Sequence, residues 1–173
     1  MLAYTVLIAL VAVERVAELV VSQRNLAWSR RHGGIEHGAR HYPVMVVLHT
    51  ALLAGCLVEA AHREFLPALG WPMLAVVVAA QGLRWWCIAT LGRQWNTRVV
   101  VVPGAGRVTG GPYRFFSHPN YVAVVVEGVA LPLVHTAWIT ALVFTALNAA
   151  LLWVRISVED KALATLGTDG RRQ

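Results

Sequence analysis

Residues 111–121 read Gly-Pro-Tyr-Arg-Phe-Phe-Ser-His-Pro-Asn-Tyr, placing an arginine, a histidine and two tyrosines between two proline turns. Further along, Arg155, Glu159 and Asp160 follow an apolar run, and Glu127 stands inside another. These side chains suit a ligand that carries charges of both signs. Glu159 and Asp160 can accept from an amino or hydroxyl group. Arg114, His118 and the free amides of a helix starting at Pro119 can meet a carboxylate. Tyr113 and Tyr121 can line a flat ring or offer their faces to a cation. Glu127 lies nine residues beyond His118, about 13 Å along a continuous helix at ~1.5 Å per residue. There it and Arg155 can meet a second reactant, as a proton acceptor and as an orienter of an anionic oxygen. Structural roles stand beside each of these. Glu127 can pair with Arg84 or Arg155, Arg155 and Glu159 can form an i,i+4 surface pair, and Asn120 can be a turn residue.

The elements that must hold these residues are membrane helices. Hydrophobic residues make up 57% of the 173 and charged residues 14%, with a mean hydropathy of +0.57; that balance excludes an ordinary soluble core. Apolar stretches cover 2–21, 44–58, 73–91 and 122–154, and the last breaks at Pro132. The piece 122–134 is about 20 Å long at ~1.5 Å per residue, short of a ~30 Å hydrocarbon core. With 137–154 it reads as a helical hairpin turning at Pro132 and His135. The expected fold is therefore an all-α integral membrane protein of five membrane-embedded helices. Residues 1–91 supply three helices and a basic loop at 22–42. Residues 92–173 supply a polar segment, the hairpin 122–154 and a tail, all within one integrated domain. Stretch 2–21 lacks the basic start and small-residue cleavage site of a signal peptide, so it is expected to remain as a helix.

Arginine bias orients the helices. Segment 22–42 carries Arg24, Arg30, Arg31 and Arg40 against Glu36, and segment 92–121 carries Arg93, Arg98, Arg107 and Arg114 with no acid. The loop 62–70 has Arg63 beside Glu64. The positive-inside rule puts the two basic segments and the tail, with Arg155, Lys161, Arg171 and Arg172, in the cytoplasm and the amino terminus outside. The net charge of +6 is thus read as arginines meeting anionic lipid headgroups rather than nucleic acid. Cys56 and Cys87 fall in separate spans with no metal-ligand spacing, so neither a disulfide framework nor a zinc site is expected. The β-branched run 97–102 and the turn Pro103-Gly104-Ala105-Gly106 suggest a short strand, with 107–109 as its returning partner. A helix is expected from about Tyr113, and Ser117 can cap the embedded helix that follows. Glu14, Arg15 and Glu18 fit a buried ion pair, a homodimer contact or a cavity lining. Trp71, Trp85, Trp86, Trp138 and Trp153 read as interfacial belt residues.

Gly111-Pro112-Tyr113-Arg114, His118-Pro119-Asn120-Tyr121, and Arg155 followed by Glu159-Asp160 resemble, in that order, the signature of the isoprenylcysteine carboxyl methyltransferase family. Trp95-Asn96-Thr97 is similar to an aromatic-Asn element of the same family. The likeness covers about 92–163. It departs at Ser117, where the family has arginine, and at Asp160, where it has a second glutamate. The resemblance implies a membrane methyltransferase using S-adenosylmethionine, bound through Tyr113, Arg114, His118, Pro119, Tyr121, Glu159 and Asp160. Trp95 and Asn96 then serve the acceptor, and Glu127 and Arg155 the chemistry.

The amino-terminal half, with Glu14-Arg15 and Ser22-Gln23-Arg24-Asn25, is similar to a bacterial branch of the family linked to long-chain alkylpyrones and alkylresorcinols. A single lysine among fifteen basic residues accords with a GC-rich bacterial genome. The resemblance thus implies methyl transfer to an oxygen of a lipophilic small molecule drawn from membrane lipid, in a bacterial cell membrane. Three other readings stay open at this stage. They are a phospholipid N-methyltransferase, a sterol-reductase-like NADPH enzyme, which chain length disfavours, and a non-enzymatic scaffold.

Overall fold

The computed structural model describes residues 1–169, with side chains through 163, so Arg171 and Arg172 of the basic tail lie outside the described residues. Five α-helices run through the described chain: α1 Leu2–Arg31, α2 His41–Ala60, α3 Pro67–Leu91, α4 Pro119–Leu133 and α5 Trp138–Asp169. By length and apolarity three of the described helices can cross a bilayer, those beginning at His41, Pro67 and Trp138. Helix α4 is too short at 15 residues. Helix α1 has the length, with 30 residues, but carries Glu14, Arg15 and Glu18 along its middle.

Apolar packing joins the helices away from the polar segment. Tyr4, Ile8 and Val11 of α1 meet Leu52 and Cys56 of α2, Val77 of α3, Ala130 and Leu131 of α4 and Phe144 of α5. The Tyr4 hydroxyl donates to the Leu131 carbonyl at 3.0 Å. Cys56 and Cys87 are buried and free. The hairpin turns at 134–137, where Thr136 takes φ 56° and its hydroxyl donates to the Glu64 carbonyl at 2.7 Å. Glu59 of α2 then accepts the first amides of α5, Ile139 at 3.1 Å and Thr140 at 2.8 Å. A carboxylate is the natural partner for these otherwise unpaired donors. Trp71, Trp85, Trp86, Trp138 and Trp153 all lie on the outer surface.

Four local expectations are corrected. The basic segment 22–42 is not a loop throughout, because α1 runs on to Arg31 and only 32–40 connect it to α2. The run 97–102 does form a strand, β2 Val99–Val101, but its antiparallel partner is β1 Ile35–His37 rather than 107–109. The register pairs Ile35 with Val101 and His37 with Val99. Arg98 clamps it by donating to Glu36 at 2.6 Å, while Val99 and Val101 pack on Ala162 and Leu163 of α5. Burial against α5 therefore selects a partner distant in sequence. Tyr113 lies in a 3-10 turn, Gly111–Arg114, and the α-helix begins only at Pro119. Gly111 holds φ 55° there, and a Cβ on it would come within 2.5 Å of the Thr90 hydroxyl. Ser117 does not cap α4; His118 takes that position and its ring is engaged elsewhere.

Helices α4 and α5 approach closely because Gly128 leaves room for Phe144. A Cβ at 128 would come within 2.2 Å of the Phe144 ring, whereas one at Gly82 of α3 would meet nothing within 4 Å. Gly128→Val is expected to destabilise the protein by about 1–3 kcal/mol through overpacking, and Gly82→Ala to leave the melting temperature in detergent level or raised. Equal melting temperatures for wild type and Gly128→Val would disprove the close approach.

Candidate active site

The chain from Gly92 to Tyr121 folds over one end of the bundle because α1 anchors its start. Asn25 donates to the carbonyls of Gly92 at 3.0 Å and Trp95 at 2.7 Å. The Ser22 hydroxyl donates to Asn96 Oδ1 at 2.8 Å and accepts from the Thr97 amide at 3.0 Å. Asn96 Oδ1 also receives the Arg98 amide at 3.1 Å. Asn96 is thus a brace as well as a lining residue. This anchoring leaves Trp95 buried, with its indole N–H without a protein partner.

Under that segment lies a polar cavity lined by Tyr113, His118, Asn120, Tyr121, Arg155 and Glu159, with Trp95 and Asn96 in the wall. Glu159 and Arg155 both hold the Tyr121 hydroxyl; Glu159 accepts from it, and Arg155 Nε donates to it at 2.8 Å. The Arg155 guanidinium also donates to the Thr97 carbonyl and lies 5.5 Å from the Tyr121 ring centre. His118 stacks on Tyr121 with centroids 5.3 Å apart. Its Nε2 is 3.0 Å from Asp160 and its Nδ1 3.8 Å from Glu159. Pro119 is buried and starts α4 beneath these rings. Burial, together with Cys87 nearby, pushes the Tyr113 hydroxyl up, so it stays a neutral donor.

A second, mostly apolar cavity lies between the helices. Leu19 of α1, Met45 and Leu53 of α2, Val124 of α4 and Leu151 of α5 give it apolar walls, while Arg15, Glu18, Arg84 and Asn148 enter it. Val46 and Thr50, both exposed on α2, also line it, so it opens on a face of α2 that meets lipid when that helix spans. The two cavities meet at Trp95, Asn120, Tyr121 and Arg155, which line both.

The structure thus assembles Trp95, Asn96, Tyr113, His118, Tyr121, Arg155 and Glu159 around one cavity, and Asp160 joins through His118. Arg114 and Glu127 do not join them. Arg114 is exposed, with its guanidinium 6.0 Å from the Phe115 ring centre. Glu127 is 5% exposed and engaged at both oxygens. Arg15 donates to it at 2.8 and 2.9 Å, and Arg84 donates as well. Arg15 also pairs with Glu18 at 2.7 Å, and Arg84 Nε lies 3.5 Å from Glu18. Gln81 and Trp85 of α3 donate to Glu14. The expected proton acceptor is therefore one corner of an ion-pair network joining α1, α3 and α4, formed because buried carboxylates and guanidiniums must neutralise each other. Arg155 and Glu159 share the Tyr121 hydroxyl, where a direct surface pair was one reading. Asn148 escaped the sequence reading altogether. Its signal was a lone carboxamide in the apolar run 137–154.

The fold and site define a bundle of membrane-type helices with a polar pocket at one end and an apolar one between its helices. Residues 73–165 match the isoprenylcysteine carboxyl methyltransferase (ICMT) family, and the chain belongs to that family. Membership makes it a membrane methyltransferase. YpbQ of Bacillus subtilis (strain 168), an uncharacterized protein, is 38% identical over 161 residues, which cover 92% of this chain and 96% of YpbQ. An uncharacterized protein of Haemophilus influenzae is 25% identical over 136 residues, covering 78% of this chain and 79% of that relative. The family match begins in α3, so Arg15, Met45 and the other contributions of α1 and α2 lie outside it.

Removing Glu127 leaves the buried Arg84 and the partly buried Arg15 each short of a partner. Glu127→Leu is expected to cost about 3–5 kcal/mol of stability, read as a lower melting temperature, with partial recovery when combined with Arg84→Met. A purely chemical role for Glu127 predicts an unchanged melting temperature and lost turnover.

Proposed function

We propose that this chain transfers a methyl group from S-adenosylmethionine to an oxygen of a lipophilic acceptor. The acceptor is a long-chain alkylpyrone, an alkylresorcinol or a prenylcysteine-like carboxylate. The observation that carries the reading is the meeting of a polar and an apolar cavity across Trp95, Asn120, Tyr121 and Arg155. One reactant is a charged water-soluble molecule and the other a membrane amphiphile, so each needs its own entrance and a common wall.

The polar cavity fits the cofactor chemically. Glu159 and Asp160 suit its amino group and ribose, His118 its carboxylate, and Tyr113 and Tyr121 its flat base or its cation. Asn120 Oδ1, buried without a protein partner, is a further acceptor left for a ligand. When bound, the cofactor supplies an electrophilic methyl carbon. The chain's own residues then act by positioning, which can contribute much of the rate in a substitution of this kind. Arg155, held by Tyr121 and Thr97, orients an anionic oxygen on the shared wall. A carboxylate or acidic enol needs no base. A phenol needs a proton acceptor in addition. By the arginine bias, this side faces the cytoplasm.

Arg15 and Arg84 are neutralised by Glu18 and Glu127, whereas Arg155 brings a guanidinium to the wall that both cavities share. That cation favours an anionic oxygen nucleophile over the amine of a phospholipid headgroup. Incubation of purified protein with labelled cofactor and either an alkylpyrone or phosphatidylethanolamine should label only the former. Label on the phospholipid alone would reverse the assignment.

Glu159→Ala is expected to abolish S-adenosylhomocysteine binding without unfolding the protein, whereas Arg155→Lys is expected to keep binding and lose at least about tenfold in turnover. Wild-type affinity in Glu159→Ala, measured by calorimetry, would remove Glu159 from the cofactor site. Acceptor entry from lipid should make affinity rise by roughly 0.8 kcal/mol per added methylene until the cavity fills. Equal turnover of short, water-soluble acceptors would contradict that route.

A further inference from the structure

Among the polar groups without a hydrogen-bond partner in the wall of the inter-helix cavity are the side-chain carbonyl of Asn148 and the indole N–H of Trp95. Asn148 of α5 is 2% exposed and Trp95 3%; Asn148 Oδ1 and Trp95 Nε1 make no hydrogen bond, and both residues line the cavity. An unpaired polar group in an apolar setting costs about 1–3 kcal/mol, and inside a membrane helix water offers little relief. The neighbouring polar side chains of α5 are satisfied. Thr140 binds Glu59 at 2.9 Å and Thr145 the Ala141 carbonyl at 2.6 Å. Asn148 is therefore an exception on its own helix, and it faces a space.

Its position is informative. Asn148 and Arg155 are seven residues apart, so they lie on one face of α5, about 10 Å apart at ~1.5 Å per residue. Arg155 belongs to the wall shared with the polar cavity, whereas Asn148 belongs only to the apolar one. A ring bearing two oxygens can offer one to the shared wall and the other to the deeper amide, while its alkyl chain leaves past Val46 and Thr50.

We infer that the side-chain carbonyl of Asn148 accepts a hydrogen bond from a second oxygen on the acceptor's headgroup, a hydroxyl that is not methylated, while the indole N–H of Trp95 donates to that oxygen from the edge of the shared wall, and that the pair so selects amphiphiles whose ring carries two oxygens. The inference deepens the function proposed above and rests on it for the identity of the cavity. It concerns binding, which can be measured without methyl transfer.

The test is equilibrium binding of radiolabelled 5-pentadecylresorcinol and 3-pentadecylphenol, which differ by one hydroxyl, to the full chain in phosphatidylglycerol nanodiscs. Wild type is expected to prefer the resorcinol by roughly tenfold. Asn148→Leu should erase that preference by weakening the resorcinol alone. Trp95→Phe, which keeps the ring and loses only the donor, should reduce the preference, and it carries the test if Asn148→Leu fails to fold. Equal binding of the two ligands by wild type, no binding of either, or an equal loss of both in the variants overturns the inference. If the preference and its loss are seen but no labelled methyl group is transferred, the proposed function fails and the Asn148 assignment stands.

Discussion

Charge neutrality inside a low-dielectric bundle is the constraint around which the rest of this structure is arranged. Arg15 and Arg84 cannot be buried alone, and neither can Glu18 and Glu127; together they form one network linking α1, α3 and α4. Pairing makes each burial tolerable, and loss of any one partner leaves an uncompensated charge. The same pairing explains how α1, with three charges along its middle, can sit within an apolar bundle. Its charged face turns to α3 and α4, while Leu2, Leu10, Val13 and Val16 face outward. Helix α4, too short to cross a bilayer, is held at one end by the Tyr4 hydroxyl and in its middle by the guanidiniums on Glu127.

The network also has a consequence for the site. Its edge forms part of the inter-helix cavity through Arg15, Glu18 and Arg84, so a polar headgroup entering from lipid meets fixed charges rather than a uniformly apolar wall. At the other end the segment 92–121 closes the bundle only because Ser22 and Asn25 of α1 satisfy its backbone. Arg155 joins the two regions. It holds Tyr121 on α4 and the Thr97 carbonyl on the covering segment while lining both cavities. A residue so constrained from several sides has little rotamer freedom left to lose when a ligand arrives, which favours precise positioning.

Much of this was legible in the sequence, because hydropathy and arginine spacing obey strong one-dimensional rules. The number and order of the helices, the hairpin formed by the last two and the grouping of Tyr113, His118, Tyr121, Arg155 and Glu159 all follow from apolar runs and from a motif ordered along the chain, although Pro132 lies inside α4 and the chain turns just beyond it. The exposed tryptophans follow from the same logic. What failed was local pairing. Residues 107–109 are nearer to β2 in sequence than 35–37 are, yet the strand pairs where Val99 and Val101 can also pack on α5.

The sequence by itself determined that the chain is a membrane-helix bundle with a polar segment at one end, since burial of long apolar runs leaves few alternatives in lipid. Only the tertiary structure decided which of the polar residues line a cavity. Glu127 and Asn148 look alike in sequence, each a lone polar side chain in an apolar helix. Glu127 is taken by two guanidiniums from other helices, whereas Asn148 is left unpaired in the wall of a cavity. The difference lies in which distant side chains arrive within hydrogen-bonding distance, and no spacing along one helix encodes that.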